Sequence, residues 1–369
     1  IEIVDKLNGI FAFCVVDEGK EECYIVRDQV GVKPLYFSMH EETLVFSSEL
    51  KGIFEFPGIR PSIALNGLNE VLSLGPAKSY GSGVFENVQE VKPGYYLKYS
   101  KDGCMERCYW KVTAMEHTDN YEETVAYTKY LVTDAIERQM VSDVPIATFL
   151  SGGVDSSIVS AVCAEGLKKS GSRLGTFSFD FRDNDKHFQA NAFQPSQDRP
   201  YVDIMVKGIN SEHHYLECTN EDLFQNLFAS VDVRDLPTMA DVDSSMLYFC
   251  SLVKPYYKVV LTGECADEIF GGYPWYKEFN TTFPWMKNLD YRNSLLNEHY
   301  QIDYKQYISE LYLSSITKAP IHEDDTNEDI AYKQLMYLHL HWFMQTLIDR
   351  KDRMCMANSL EARVPYCNP

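Results

Sequence analysis

Two short stretches of this sequence combine residue types that together can hold a phosphorylated ligand. The first is Phe149-Leu150-Ser151-Gly152-Gly153-Val154-Asp155-Ser156-Ser157. It closes an apolar run, Ile146 to Leu150, and opens a stretch whose apolar positions Ile158, Val159, Ala161 and Val162 suit a packed helix. The order reads as buried strand, glycine turn and helix start. The glycines let backbone N–H groups approach an anion, the hydroxyls of Ser151, Ser156 and Ser157 add donors, and the helix N-terminus favours negative charge. Asp155 stands where a carboxylate can hold Mg2+ against phosphates. The lysine of a Walker loop is missing after the second glycine, so this is a different phosphate cradle. A plain strand-to-helix turn with capping serines is the competing reading, and the full string after a buried strand outweighs it.

The second stretch, Val259-Val260-Leu261-Thr262-Gly263-Glu264-Cys265-Ala266-Asp267-Glu268-Ile269-Phe270-Gly271-Gly272-Tyr273, repeats the grammar with acids in place of serines. Glu264 and Asp267 are spaced to share one helical face. Acids in a first turn also serve the helix dipole, and for Glu268 the two readings weigh evenly. Carboxylates at such a corner can hold Mg2+ near a pyrophosphate or take a proton from an amine nucleophile. A third stretch, Asp349 to Tyr366, crowds Arg350, Lys351, Asp352, Arg353, Glu361 and Arg363 among apolar residues. It reads either as a salt-bridged helix end or as a cluster that recognises a carboxylate through arginine.

These corners need a sheet to position them. From Ile146 onward candidate strands (Ile146–Leu150, Leu174–Phe179, His213–Glu217, Lys258–Leu261) alternate with candidate helices (Ser157–Lys168, Arg199–Val206, Leu223–Val231, Ser244–Val253, Ala266–Phe270). Alternation of this kind means βαβ units and a parallel sheet covered by helices, with ligands at the carboxyl ends of its strands. A long amphipathic helix over Tyr121–Met140 precedes it, and the region from Pro274 reads as helical, most clearly over Ile330–Asp349. The first ~110 residues are β-rich instead, with strands expected at Gly9–Val16, Cys23–Val26, Thr43–Ser47, Gly94–Tyr99 and Met105–Tyr109, and polar residues Lys111 to Asn120 as a linker.

The chain has 369 residues, which suits two domains, expected at 1–115 and 122–369. Its net charge of −20 argues against a general nucleic-acid or membrane-surface binder, so a phosphate must be held by local donors and metal ions. No apolar run approaches a membrane span. The N-terminus is neither a signal nor a transit peptide, and without an initiator Met the chain is expected to be part of a longer protein. Ten scattered cysteines with no zinc spacing read as reduced, mostly buried thiols of a cytoplasmic protein.

The string Ser151–Ser157 resembles the PP-loop of ATP pyrophosphatases, which cleave ATP between its α and β phosphates. Ser151–Ser157, Gly263–Tyr273 and Ser359–Tyr366 follow one another in the order and approximate spacing of glutamine-dependent asparagine synthetases. Leu7–Phe13, Arg27-Asp28 with Gly31–Tyr36, and Phe46–Lys51 resemble the later half of that family's glutaminase domain. The resemblance covers nearly the whole chain. It implies an α/β fold: a β-rich, partial Ntn-hydrolase-like domain, then a parallel-sheet PP-loop domain with a helical C-terminal part. It also implies aspartate, ATP and ammonia or glutamine as substrates, Mg2+ as cofactor, and a β-aspartyl-AMP intermediate. On these positions Leu150, Ser151, Gly152, Gly153, Asp155, Ser156 and Ser157 would cradle pyrophosphate. Asp155 and Asp267 would hold Mg2+, Thr262 and Gly263 would contact the nucleotide, and Phe179 the adenine. Glu264 would support the adenylate and handle the ammonia proton, Tyr273 would face the intermediate, and Arg363 would bind a carboxylate or phosphate. No nucleic acid or membrane is implied, and a homo-oligomer is compatible with the family.

The chain departs from that pattern at several points. It starts with Ile1 and lacks the N-terminal cysteine nucleophile and the Asn-Gly-Glu motif, so this stretch is expected not to hydrolyse glutamine itself. It stops at Pro369, before the family's lysine near the phosphates, and Cys265 replaces a small residue. β-Lactam synthetases and amide-forming tailoring enzymes share the scaffold and supply the alternative reading, with another acid or amine as substrate.

Overall fold

The computed structural model describes residues 1–191, 194–277, 281–286, 288–298 and 303–369. Residues 278–280, 287 and 299–302 of the expected helical region from Pro274 lie outside the described residues.

Alternating apolar residues and glycine turns in the first part build two antiparallel sheets. Strands β1 (Ala12–Asp17), β2 (Glu22–Arg27), β3 (Tyr36–His40), β4 (Thr43–Ser47), β5 (Val88–Glu90), β6 (Tyr95–Ser100) and β7 (Gly103–Cys108) form one sheet in the order β1-β2-β6-β7 and another in the order β4-β3-β5. Strands β3 and β5 were not expected from sequence: β3 follows Lys33-Pro34, which reads as a turn, and β5 is only three residues long. Between β2 and β3 a loop is held by a buried pair. The Asp28 carboxylate accepts the backbone N–H groups of Gly31 (2.6 Å), Val32 (2.9 Å) and Lys33 (3.0 Å). The Arg27 guanidinium donates to the carbonyls of Lys33 (2.8 Å), Gly31 (2.9 Å) and Val91 (2.8 Å) and to Glu90 (2.7 Å). Gly31, at φ +76°, packs so closely that a Cβ would meet Pro93 Cγ at 2.4 Å.

Helix α1 (Tyr121–Gln139) starts at a capping box in which the Asn120 side chain accepts the Glu123 N–H and the Glu123 carboxylate accepts the Asn120 N–H. Beyond it a parallel sheet forms from β8 (Ile146–Phe149), β9 (Gly175–Phe181), β10 (Glu212–Cys218), β11 (Val259–Leu261) and β12 (Glu361–Arg363), ordered β10-β9-β8-β11-β12. The chain runs outward from β8 through β9 to β10, then returns to the other side of β8 as β11. The reversal falls between β8 and β11, where ligands settle in sheets of this kind. Both faces of the central strands β8 and β11 are buried, so these read as near-continuous apolar runs. Ala147, Phe149 and Val260 face Cys250 and Val253 of the helix Ala240–Val253 and Cys355 of the helix Met344–Met356. Ile146, Val259 and Leu261 face Ile136 of α1 and Val159 and Cys163 of the helix Val154–Lys169.

Two expectations are corrected. Ile330–Asp349 is not one α-helix: an α-helix over Asn327–Leu338 passes through a wider π turn at His339–Phe343 into the helix Met344–Met356. The apolar periodicity runs through the join, and an added residue within a turn leaves no mark in sequence. The stretch Glu361–Arg363 is a strand, because Ser359 at φ +53° turns the chain beside β11 and buries Ala362. All ten cysteines are free; six are buried, while Cys14, Cys104 and Cys108 are exposed on the first sheet. No helix among the described residues is long and apolar enough to cross a membrane.

Replacing Asp28 with alanine removes the side-chain acceptor of four backbone N–H groups, those of Phe11, Gly31, Val32 and Lys33. Urea unfolding is expected to show a loss of about 2–4 kcal/mol, with Asp28→Asn losing less.

Candidate functional site

The first corner grows from β8. Its last residues are pinned to β9: Leu150 N–H donates to the Phe177 carbonyl (2.8 Å), and the Ser178 hydroxyl donates to the Leu150 carbonyl (2.5 Å). The chain then turns at Gly152, whose φ is +84° and where a Cβ would meet Asp198 O and Tyr201 Cβ at 2.9 Å. A side chain is excluded there on both counts. The helix starts at Val154. The Ser156 hydroxyl accepts Ser151 N–H (3.2 Å), sits 3.0 Å from the Ser151 hydroxyl and reaches the Gly153 carbonyl (3.2 Å). It is buried and braces the loop, a use that its residue type, read as a free donor, does not announce.

The second corner grows from β11, the strand next to β8. Thr262 N–H donates to the Arg363 carbonyl (3.0 Å). A Cβ on Gly263 would lie 2.5 Å from Ser156 N and 2.9 Å from the Asp155 carbonyl carbon. Glycine is what lets the two corners touch. Cys265 then adopts φ +74°, and a short helix runs Ala266–Phe270. Glu264 therefore sits in the turn before the helix and does not share a helical face with Asp267, as its spacing suggested. The left-handed residue between them separates the two, yet both still line the same cleft.

That cleft, of about 420 Å³, is lined by Leu150, Ser151, Gly153, Asp155, Ser156, Phe179, Thr262, Gly263, Glu264, Asp267 and Tyr273. Eleven of the fourteen residues named from sequence thus meet in one place. Gly152 packs beneath the loop against Asp198 and Tyr201. Ser157 lies in the first helical turn, where its N–H donates to the Gly153 carbonyl (3.1 Å). Arg363 is turned away: its guanidinium donates to Glu361 (2.7 Å) and to the carbonyls of Gln139 and Val141 (2.6 Å each). It closes the C-terminal end of α1, so the structure does not bring it to the cleft. Phe179 stacks on Phe249 with ring centres 4.4 Å apart and meets Phe149 edge-on, forming an aromatic wall.

Arg350 and Lys351 line the cleft as well, and sequence reasoning placed neither individually. The available signal was a run of charges within an otherwise apolar helix. The carboxylate they recognise is internal: Glu264 Oε1 accepts from Arg350 Nη2 (2.7 Å) and lies 3.1 Å from Lys351 Nζ. Lys351 Nζ also sits 4.8 Å from the Phe149 ring centre. Three atoms here are buried without a partner: Glu264 Oε2, Arg350 Nε and Thr262 Oγ1. Orphans of this kind are costly unless a ligand or water meets them.

The acids differ in charge. Burial works to raise Glu264, but Lys351 and Arg350 hold its carboxyl below the usual value. Burial raises Asp155, and the Asp267 charge raises it further; Asp267 is raised by burial. Burial pushes Glu268 up to about 7, against the pull of the Tyr273 hydroxyl that donates to its Oε1. The cleft thus holds one carboxylate fixed as an anion, two that crowd each other, and one poised to change protonation near neutrality.

A profile of the family described as asparagine synthase matches residues 128–369, and one described as glutamine amidotransferase domain matches residues 1–110. The chain is 44% identical over 372 residues to asparagine synthetase (glutamine-hydrolyzing) 3 of Bacillus subtilis (strain 168), covering 100% of this chain and 61% of that protein. It is 27% identical to asparagine synthetase (glutamine-hydrolyzing) 1 of the same organism over 406 residues, covering 99% of this chain and 61% of the relative. It is 26% identical over 292 residues to Amidase chry2 of Gibberella zeae, covering 74% of this chain and 41% of that protein. The chain therefore spans under two thirds of the length of these relatives.

Replacing Glu264 with glutamine leaves Arg350 and Lys351 buried without a counter-charge, an expected loss of about 3–5 kcal/mol in urea unfolding at neutral pH. Because the folded value of Glu264 lies below its unfolded value of about 4.3, the wild-type advantage is complete above that pH. It shrinks as the pH falls through the lower folded value, so unfolding curves of both proteins at a series of pH values below about 4.3 should converge.

Proposed function

Because the chain belongs to the asparagine synthase family, we propose that this cleft activates the side-chain carboxylate of aspartate with ATP and passes the acyl group to ammonia. The observation that carries this reading is the contact of the two corners: Gly263 lies against Asp155 and Ser156, so one cleft offers loop N–H groups and carboxylates together. The triphosphate lies over Ser151 and Gly153, and the base lies against Phe179. An aspartate carboxylate oxygen attacks the α-phosphorus, the bond to the bridging oxygen of the β-phosphate breaks, and pyrophosphate leaves. Ammonia then attacks the acyl carbon and AMP leaves with the electron pair of the acyl–oxygen bond.

Asp155 and Asp267 fit a divalent cation. Both carboxyls are raised, Asp155 partly by its neighbour's charge. Among the described residues no group of three or more ligating side chains could hold a metal alone, so phosphate oxygens and water would complete the shell, as Mg2+ prefers. Bound there, Mg2+ would neutralise charge on the departing pyrophosphate. Arg350 and Lys351 place two positive charges at the same cleft, and the Arg350 Nε remains free to donate to a phosphate or carboxylate oxygen. The free Glu264 Oε2 accepts a hydrogen bond from the incoming ammonia, and Glu268 with Tyr273 is the pair suited to take up the proton it sheds. In the intact protein the ammonia would come from glutamine, through the amidotransferase-type region. The relationship to proteins named as amidases supports one further reading, the same activation with a different acid or amine.

Aspartate-dependent exchange of pyrophosphate into ATP, with assays for AMP and asparagine when ammonia is added, tests the proposal. Adenylation of another acid with no asparagine formed would favour the amide-tailoring alternative. Asp155→Ala is expected to lower exchange by about a hundredfold or more with unfolding unchanged. Gly263→Ala should lower exchange as strongly and also lower stability, because its methyl group forces the corners apart. Wild-type exchange in both variants would overturn the assignment.

A further inference from the structure

The helix Met344–Met356 carries four consecutive buried charged residues, Arg350 to Arg353, which between them serve three different partners. Arg350 and Lys351 hold Glu264 in the cleft. Arg353 donates to Asp235 (2.7 Å) and to the carbonyls of Val233 and Ser48 (3.0 Å each). Asp349, one residue ahead, pairs with Arg234 (2.6 Å). Asp352 accepts from Lys33 Nζ at 2.6 Å, a contact 319 residues apart in sequence. Asp352 directly follows the cleft-facing pair Arg350 and Lys351 in the helix, and its partner comes from the amidotransferase-type region.

Lys33 does not reach across on a loose tether. Its own N–H is held by Asp28 and its carbonyl by Arg27, and both of those side chains are buried. The Lys33 side chain is 23% exposed and Asp352 5%, so the pair is largely shielded from water. A rigid loop gripping a helix through a shielded charge pair fixes the helix about its own axis. A small rotation would swing Arg350 and Lys351 away from Glu264, because they sit within one helical turn of Asp352.

We propose that Lys33 is a positioning residue for the synthetase-type cleft: through Asp352 it sets the helix Met344–Met356 so that Arg350 and Lys351 meet Glu264. The loop Gly31–Lys33 thereby couples the amidotransferase-type region to the cleft. The consequence for catalysis rests on the function proposed above; the mechanical coupling does not. A simple clip between the two regions would cost stability throughout when cut. A positioning pair costs order in this helix and in the turn that carries Glu264, and it lowers turnover more than substrate affinity.

The test uses Lys33→Met, Asp352→Asn and Lys33→Arg in the full-length protein, with Lys98→Met as control. Lys98 pairs with Glu22 in the same region, on the first sheet, and among the described residues makes no hydrogen bond or ion pair with the helix Met344–Met356. Amide hydrogen exchange is read by mass spectrometry over residues 344–356 and 262–268. Both disruptive variants should speed exchange there by about tenfold, with β1, β2 and β6 unchanged, while Lys33→Arg stays near wild type. Aspartate-dependent pyrophosphate exchange should lose about tenfold in kcat in Lys33→Met with KM for ATP nearly constant, and Lys98→Met should change neither reading. Unchanged exchange in both segments, a uniform rise over the whole chain, or failure of Lys33→Arg to restore the helix would overturn the proposal. If Lys33→Met does not fold, Asp352→Asn, which preserves shape, decides the matter. Absence of pyrophosphate exchange in the wild type would count against the proposed function, while the hydrogen-exchange outcome would still decide whether Lys33 positions the helix.

Discussion

Everything in the cleft depends on how closely two backbone corners can approach. β8 and β11 are neighbours, so their following turns are forced together at one end of the sheet. With any side chain at Gly263, the second corner would collide with the backbone of Asp155 and Ser156. With glycine there, serine hydroxyls, loop N–H groups and acidic side chains line the same cleft. The strand order supplies the place and one missing methyl group supplies the fit. Backbone against backbone leaves little room for adjustment, since neither partner is the flexible end of a side chain.

The electrostatics follow from that approach. Bringing Asp155 toward Asp267 is unfavourable unless a cation or a proton intervenes. Glu264, a few residues from Asp267, would add to the repulsion, but Arg350 and Lys351 neutralise it from below. These two cations come from a helix with scarcely any exposed surface, and a buried charge there is tolerable only because each has a partner. The acidic chain therefore carries positive charge where an anionic ligand would need it, drawn from the interior and not from the surface.

Four of the five strands of the parallel sheet and both corners were legible in sequence, because buried parallel strands are short apolar runs and glycine marks where they end. Most of the eleven named residues that line the cleft lie within a few residues of a turn, while Phe179 and Tyr273 were named only through the family resemblance. What remained hidden came from far along the chain or from an ambiguous local signal. Arg350 and Lys351 lie 86 or more residues from Glu264, and a charged helix reads equally well as a solvated one until its neighbours are known. Arg363 was named for its type, yet a two-pronged donor serves as well for closing a helix end as for binding a ligand. Glu264 shifted off the helical face because Cys265 adopts a left-handed conformation that its residue type does not announce.

The π turn at His339–Phe343 has a consequence of its own. One added residue advances every later side chain by about 100° around the axis compared with an unbroken α-helix. Ahead of the turn, the segment presents Leu338 to an aromatic cluster with Phe283 and Trp285; after it, the downstream segment presents arginine and lysine to a carboxylate. The turn acts as a phase shifter, letting one continuous rod address a greasy partner and a charged one in directions that a strict repeat would not permit.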